Sequence, residues 1–215
     1  MEIYDTEEEQ VEALKRWWKE NGQSTITGLV VGIALILGWN YWQGHKKDQA
    51  LQAAALYDQL MKAVTEDNKE PAEKLAERLQ EQFHATPYAA YSGLSQAKLK
   101  VQQGDTAAAK QILEKIARDS NKELSNVAKL RLVRLMLAAG EYEQGLKLIA
   151  EVDPAAAASF SGNYDELVGD LYVALDRLDE ARTSYQKALR DGHQSPFLQA
   201  KIDDLTAPEI IEIKK

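Results

Sequence analysis

The fold is decided by residues 169–188, whose sequence is G-D-L-Y-V-A-L-D-R-L-D-E-A-R-T-S-Y-Q-K-A. Small and aromatic residues alternate here at helical spacing around a polar turn at Asp176: Gly169-x-x-Tyr172 before it and Ala181-x-x-x-Tyr185-x-x-Ala188 after it. Apolar residues at three- and four-residue intervals indicate amphipathic helices. The segment therefore predicts two short helices that approach closely where the small residues lie.

The same pattern recurs upstream with a period of 36 residues. The turn residues Gly104, Gly140 and Asp176 have this spacing, as do the small residues Ala109, Gly145 and Ala181 and the positions occupied by Ala97, Val133 and Gly169. The pattern resembles the tetratricopeptide repeat, in which small residues let two antiparallel helices pack closely. The repeat here is 36 residues instead of 34, and the usual first-helix Trp and terminal Pro are missing.

The remainder of the C-terminal part also has helical periodicity and no convincing alternating segment, which predicts an all-α domain. Thr86-Pro87 and Asp153-Pro154 each place proline after an N-cap residue and predict helix starts. Residues 50–84 are a further degenerate unit whose register the sequence leaves open. An irregular helical bundle is the alternative to a repeat array. A repeat array has an extended concave face, and such faces bind polypeptide.

Before the repeats, residues 21–44 contain no charged side chain, although 28% of the chain is charged. A helix of this length is about 36 Å long, enough to cross a hydrocarbon core of about 30 Å. Aromatic side chains that favour the headgroup region flank it on both sides: Trp17 and Trp18, then Trp39, Tyr41 and Trp42. The pattern predicts a single transmembrane helix, and a buried core helix or a cleaved signal peptide are the alternatives.

Charge does not orient this helix, because three basic residues lie within twenty residues of each end. Gly28-x-x-x-Gly32 forms a small-x-x-x-small motif, which predicts a face for packing against another transmembrane helix. The predicted organisation is an acidic segment at 1–20, the transmembrane helix at 21–44, a tetratricopeptide-like domain at 45–205 and a C-terminal tail at 206–215.

Several function classes are disfavoured by composition. Residues 1–20 carry three basic and seven acidic side chains, and the rest of the chain is also net acidic, which argues against nucleic-acid binding. There is no cysteine, and the three histidines, His45, His84 and His193, have no metal-ligand spacing. No catalytic motif is present. We expect no enzyme, no cofactor and no metal.

The N-terminal block adds a more specific resemblance. Glu9-Gln10-Val11-Glu12, Lys15-Arg16-Trp17-Trp18, Glu20-Asn21-Gly22 and Gly38-Trp39-x-Tyr41-Trp42, together with the repeats, resemble the YfgM family of ancillary subunits of the bacterial SecYEG translocon. The resemblance implies a single-pass inner-membrane protein with its N-terminus in the cytoplasm and its repeat domain in the periplasm. It also implies partnership with SecYEG and with a PpiD-like chaperone in handing exported polypeptides to periplasmic folding factors.

Two alternatives to this function stay open. In the first, residues 1–20 restrain a stress-response phosphorelay from the cytoplasm, which the family resemblance also permits. In the second, the repeat concavity holds an enzyme site that no motif reveals.

Overall fold

The computed structural model describes residues 7–119 and 121–205. In these ranges every regular element is a helix, so the predicted all-α class is confirmed. The first six residues of the acidic segment and the predicted tail 206–215 lie outside the described residues. The helices are α1 (Glu7–Thr65), α2 (Lys69–Gln82), α3 (Pro87–Gln102), α4 (Thr106–Ala117), α5 (Lys122–Ala138), α6 (Tyr142–Ala150), α7 (Ser161–Ala174), α8 (Leu178–Arg190) and α9 (Leu198–Asp204), with a 3₁₀ turn at Ala158–Phe160.

The chain divides into two compact units, one ending at Gln52 and the other beginning at Ala53. In the first unit α1 contains the uncharged stretch, and only 6% of its most apolar 18-residue window is buried. Large aliphatic side chains such as Leu35 and Leu37 are more than three-fifths exposed. A core helix of a water-soluble domain would bury such side chains, so this segment is a candidate membrane span by length, composition and exposure.

The second unit is built from four successive helical hairpins. The end of α1 pairs with α2, and α3–α4, α5–α6 and α7–α8 follow. Each hairpin turn contains one residue with positive φ: Asp67 (54°), Gly104 (83°), Gly140 (79°) and Asp176 (58°). The last three are the turn residues that the 36-residue period predicts. Asp67 lies 37 residues before Gly104 and fixes the register of the first hairpin.

All four turns are closed by the same backbone hydrogen bond. The N–H group after each positive-φ residue donates over 2.9 Å to the carbonyl five residues earlier: Asn68 to Ala63, Asp105 to Lys100, Glu141 to Met136 and Arg177 to Tyr172. This is the Schellman arrangement, which ends a helix at a left-handed residue and satisfies one of its free carbonyls. The period in the sequence is therefore a period of helix ends.

Each hairpin has a first helix, namely the end of α1, α3, α5 or α7, and a second helix that follows it. Neighbouring first helices contact each other: α3 contacts α5, and α5 contacts α7. The more extensive contact between successive hairpins is made by the second helices α2, α4 and α6, each of which packs on the first helix of the next hairpin. The stacking buries one apolar cluster per hairpin, and α9 closes the array by placing the buried Leu198 against Ala181, Tyr185 and Ala188 of α8.

One of the two predicted proline helix starts is wrong. Helix α3 begins at Pro87 as expected, but residues 154–157 form turns and α7 begins only at Ser161. The Asp153 side chain accepts a hydrogen bond from Ala155 N–H over 3.0 Å, and its carbonyl accepts one from Ala157 N–H over 3.1 Å. These two bonds close a single turn after Asp153, so the cap residue starts a turn and not a helix.

Candidate functional site

The small residues of the repeat lie where helices approach most closely. Ala97, Ala109, Ala181 and Ala188 are at most 2% exposed. A Cβ added to Gly169 would lie 2.3 Å from Cε1 of Tyr185, and one added to Gly145 would lie 3.1 Å from Cδ2 of Leu171. These repeat residues hold the helices together, and Tyr172 beside them packs on the last apolar cluster.

The predicted membrane-interface side chains are exposed at two levels of α1. The Trp17 and Trp18 ring centroids are 6.3 Å apart, and those of Trp39 and Trp42 are 5.3 Å apart. Tyr41 is 80% exposed. From Trp18 to Trp39 the helix rises about 32 Å at 1.5 Å per residue, close to the thickness of a hydrocarbon core of about 30 Å.

The predicted helix-packing face of α1 is open. A Cβ added at Gly28 or at Gly32 would meet no atom of the described residues within 4 Å. Near the end of the apolar stretch, Lys46 Nζ lies 3.7 Å from the centroid of the Trp42 ring. The cation there stacks on the aromatic face, an arrangement compatible with the boundary between lipid and water.

In the second unit an open groove lies between the first helices α3 and α5. The cavity has a volume of about 390 Å³. Apolar and basic side chains share its wall, and we call it the basic groove, lined by Ala97, Lys98, Val101, Gln102, Leu113, Arg131, Arg134 and Leu135. Leu113 comes from α4 and the other residues come from α3 and α5.

The three cations of the basic groove have no carboxylate partner among the described residues. Neither Lys98 nor Arg134 makes a salt bridge there, and Arg131 donates a hydrogen bond over 3.2 Å to the carbonyl of Leu94. Lys98 and Arg134 are 36 residues apart, so they occupy the same position in successive repeats. Stacking therefore brings together two charges that are distant in sequence.

Three tyrosines lie where the end of α1 meets α3. The Tyr57 ring centroid is 5.7 Å from that of Tyr88 and 6.0 Å from that of Tyr91. Tyr91 is 40% exposed and Met61 beside the cluster is 38% exposed. The first helices of the first two hairpins thus present aromatic and thioether surface, which suits apolar side chains of a partner.

On α7 the corresponding position is acidic and is already covered. Asp170, one repeat after Arg134, accepts hydrogen bonds from Lys201 Nζ and from the Tyr185 hydroxyl, both over 2.7 Å. Glu166 accepts bonds from Lys201 Nζ over 2.8 Å and from Ser195 Oγ over 3.0 Å, and its Oε2 lies 2.9 Å from His193 Nε2. His193, Ser195 and Lys201, which lie before and within α9, therefore bind the carboxylates of α7.

These contacts perturb the titration of the cluster. Burial raises the pKa of Glu166, but the hydrogen bonds from Lys201, His193 and Ser195 outweigh it and hold the pKa below its usual value. Burial likewise lowers the pKa of Lys201, and its bonds to Asp170 and Glu166 more than reverse that effect. Both groups are therefore charged at neutral pH, and the ion pairs hold α9 on α7.

Comparison with known proteins agrees with this architecture. A family profile described as a tetratricopeptide repeat-like domain matches residues 15–207. The chain is 32% identical over 201 residues to the ancillary SecYEG translocon subunit of Haemophilus influenzae, covering 93% of this chain and 97% of that protein.

This chain belongs to the family of ancillary SecYEG translocon subunits. The protein of the same name from Escherichia coli K12 is 29% identical over 213 residues, covering 96% of this chain and all of the relative. The one from Aggregatibacter actinomycetemcomitans is 29% identical over 202 residues, covering 93% of this chain and 97% of the relative. The similarity extends through the candidate membrane span and the repeats alike.

In this family member the sequence patterns locate the packing residues but not the basic groove. The two tryptophans of each flanking pair lie close together, whereas Gly28 and Gly32 contact no other element in the part of the chain that the structure describes. Lys98 and Arg134 could have been found by aligning charged residues on the 36-residue period. Across 7–119 and 121–205, no three His, Asp or Glu side chains are grouped so as to hold a metal ion.

Proposed function

We propose that the chain is a membrane-anchored, non-catalytic subunit that associates with the SecYEG translocon and assists the transfer of exported polypeptides to periplasmic chaperones. The observation that carries the proposal is the pairing of an exposed apolar helix with an array of hairpins whose groove is open, in a member of the ancillary-subunit family. Such a chain supplies an anchor and a binding surface.

Tethering to the membrane raises the effective concentration of the repeat domain near exported chains. A domain held beside a translocation pore meets emerging chains at a high effective concentration, so contacts that are weak in solution become useful. The broad surface of stacked first helices suits this task, because unfolded segments of many sequences can lie across successive repeats. Transfer to a second chaperone, for which a PpiD-like protein is the proposed partner, requires the contacts to be weak and reversible.

The proposed topology places residues 1–20 in the cytoplasm, residues 21–44 across the inner membrane and the repeat domain at 45–205 in the periplasm. The family resemblance supports this orientation, and the two aromatic levels of α1 support the position of the span. The absence of cysteine suits the periplasm, since no thiol is present to form an unwanted disulfide.

Co-purification tests the proposal. Membranes that contain the affinity-tagged full chain are extracted with a mild detergent, and the captured proteins are identified by mass spectrometry. The matched control carries the same repeat domain on an unrelated uncharged span of equal length. We expect SecYEG and a periplasmic chaperone to be enriched over untagged membranes with the native chain. If SecYEG is not enriched with the native chain above background, the proposed association is wrong.

A comparison of the two anchors then locates the contact. Enrichment of SecYEG with both chains assigns the association to the repeat domain, and enrichment with the native anchor alone assigns it to residues 1–44. The Gly28-x-x-x-Gly32 face is the first candidate in the second case, because no described residue of its own unit covers it.

A further inference from the structure

We propose that the basic groove between α3 and α5 binds an extended polypeptide segment in which aspartate or glutamate stands next to aliphatic side chains. The inference rests on the proposed role of the repeat domain in receiving polypeptides, and it adds the chemistry of the segment that is received. The site is distinct from the ion-pair cluster of α7 and α9, whose carboxylates are already occupied.

The apolar part of the groove sets the first requirement. Val101 is 42% exposed at its edge, Leu135 is half-buried and Leu113 is 2% exposed at its floor. A volume of about 390 Å³ is large enough to accommodate aliphatic side chains of a bound strand. An aliphatic side chain placed there removes apolar surface of both partners from water, which favours binding.

The charges set the second requirement. Two basic side chains at neighbouring helix contacts do have carboxylate partners: Lys100 lies 2.7 Å from Glu73, and Lys110 lies 2.6 Å from Glu141. At the basic groove no such partner is found among the described residues for Lys98, Arg131 or Arg134. Because residues 21–215 are net acidic, this positive patch is a local exception. A partner with carboxylates supplies the missing charge.

The repeat limits where such a segment can bind. The position held by Lys98 in α3 and Arg134 in α5 is held by Asp170 in α7, and Lys201 covers it. An acidic segment is therefore attracted to the second and third hairpins, whereas the equivalent first-helix position of the fourth is a carboxylate already paired with Lys201. In the other direction, the exposed Tyr91 and Met61 offer apolar contacts to the residues that continue the segment.

Fluorescence anisotropy with the full chain in detergent tests the inference. The probe is a labelled peptide, S-G-L-E-V-D-L-G-S, and its matched neutral counterpart is S-G-L-Q-V-N-L-G-S. The groove variant is the double substitution Lys98→Glu with Arg134→Glu. The control variant is the double substitution Lys69→Glu with Arg190→Glu, which changes the net charge of the chain by the same amount at exposed positions of α2 and α8. Arg131 is left unchanged because it bonds to the Leu94 carbonyl.

We expect the acidic peptide to bind the wild-type chain about tenfold more tightly than the neutral peptide, the gain expected from two solvent-exposed ion pairs. Raising the salt concentration from about 50 to about 300 mM narrows the difference. The groove variant loses the preference, whereas the control variant keeps it. Circular dichroism melting curves verify that both variants are folded.

Two results overturn the inference. One is equal affinity of the wild-type chain for the acidic and neutral peptides, which needs no variant to observe. The other is an equal loss of preference in the groove and control variants, which assigns the effect to net charge. Since the assay contains no translocon, its failure leaves the SecYEG association untouched, and failure to co-purify with SecYEG leaves the peptide result untouched.

Discussion

Replacing Gly169 by alanine tests whether the small residues of the repeat are required for helix packing. The added Cβ would lie 2.3 Å from Cε1 and 2.4 Å from Cδ1 of Tyr185, far inside normal contact. The ring cannot simply turn away, because its hydroxyl donates a 2.7 Å hydrogen bond to Asp170 and Tyr185 is 2% exposed. The change therefore forces α7 and α8 apart.

Two opposing terms set the size of the effect. Overpacking a close-packed site costs about 1–3 kcal/mol and occasionally more. Replacing glycine by alanine within a helix returns about 1 kcal/mol through helix propensity. The clash involves a tethered aromatic ring, so we place its cost at the upper end and expect a net loss of about 2 kcal/mol. For a domain of this size that lowers Tm by about 4–8 °C.

The assay is thermal unfolding of the full chain in detergent, followed by circular dichroism. Gly145→Ala is the matched control, because its Cβ would lie 3.1 Å from the end of the Leu171 side chain, which can move. We expect Gly145→Ala to change Tm by less than half as much as Gly169→Ala. A Tm for Gly169→Ala equal to or above that of the wild type would refute the packing argument.

Three further predictions follow from the described contacts. Tyr164→Phe removes a 2.8 Å hydrogen bond to buried Asn126 Oδ1 and costs about 1–3 kcal/mol in urea unfolding; an unchanged midpoint would contradict this. The pKa of Glu166 is lowered in the folded protein, so the stability that its charged form contributes is lost as pH falls from about 4.5 through that lower pKa. Lys201→Met is less stable than the wild type at pH 6 and loses less stability between about pH 6 and about pH 3; equal losses in the two proteins would contradict this. If the repeat domain is periplasmic, a Lys69→Cys variant reacts with a membrane-impermeant maleimide in intact spheroplasts. Labelling that occurs only after lysis would place residue 69 in the cytoplasm and contradict the proposed topology.

The repeat could be predicted from sequence because its helix ends and its close contacts need particular residues. Gly104 and Gly140 adopt φ values of 83° and 79°, a region that favours glycine. Asp176 adopts 58° at the equivalent turn, and aspartate is one of the few other residues that tolerate it. Backbone requirements of this kind leave a pattern that spacing alone reveals.

The first hairpin was harder to place because its residues satisfy the same requirements differently. Asp67 takes the left-handed turn 37 residues before Gly104, and Leu60 replaces the small residue found at position 97. A larger side chain is accepted there, and Leu60 is fully buried in the apolar cluster of α1 and α2. The one-residue longer spacing from Asp67 to Gly104, together with leucine in place of a small residue at position 60, hides the register of this hairpin in the sequence.

The basic groove was missed because surface charges are common on every helix and their grouping depends on tertiary packing. Lys98 and Arg134 become neighbours of one cavity only when α3 and α5 stack. The ion pairs of Lys201 with Glu166 and Asp170 likewise join residues more than thirty positions apart. The wrong helix start at Asp153 has a local cause, since the same side-chain acceptor caps either a helix or a single turn.

Site-specific photo-crosslinking in membranes tests the central claim most directly. A benzoylphenylalanine in place of Val101 probes the groove, and one in place of the exposed Lys69 on α2 probes a second helix. Cells that export a stalled, labelled polypeptide are irradiated and the crosslinks are compared. The account predicts adducts to the exported polypeptide from position 101 and few from position 69. Equal yields from both positions, or no adduct from position 101, would contradict a polypeptide-binding groove at the translocon.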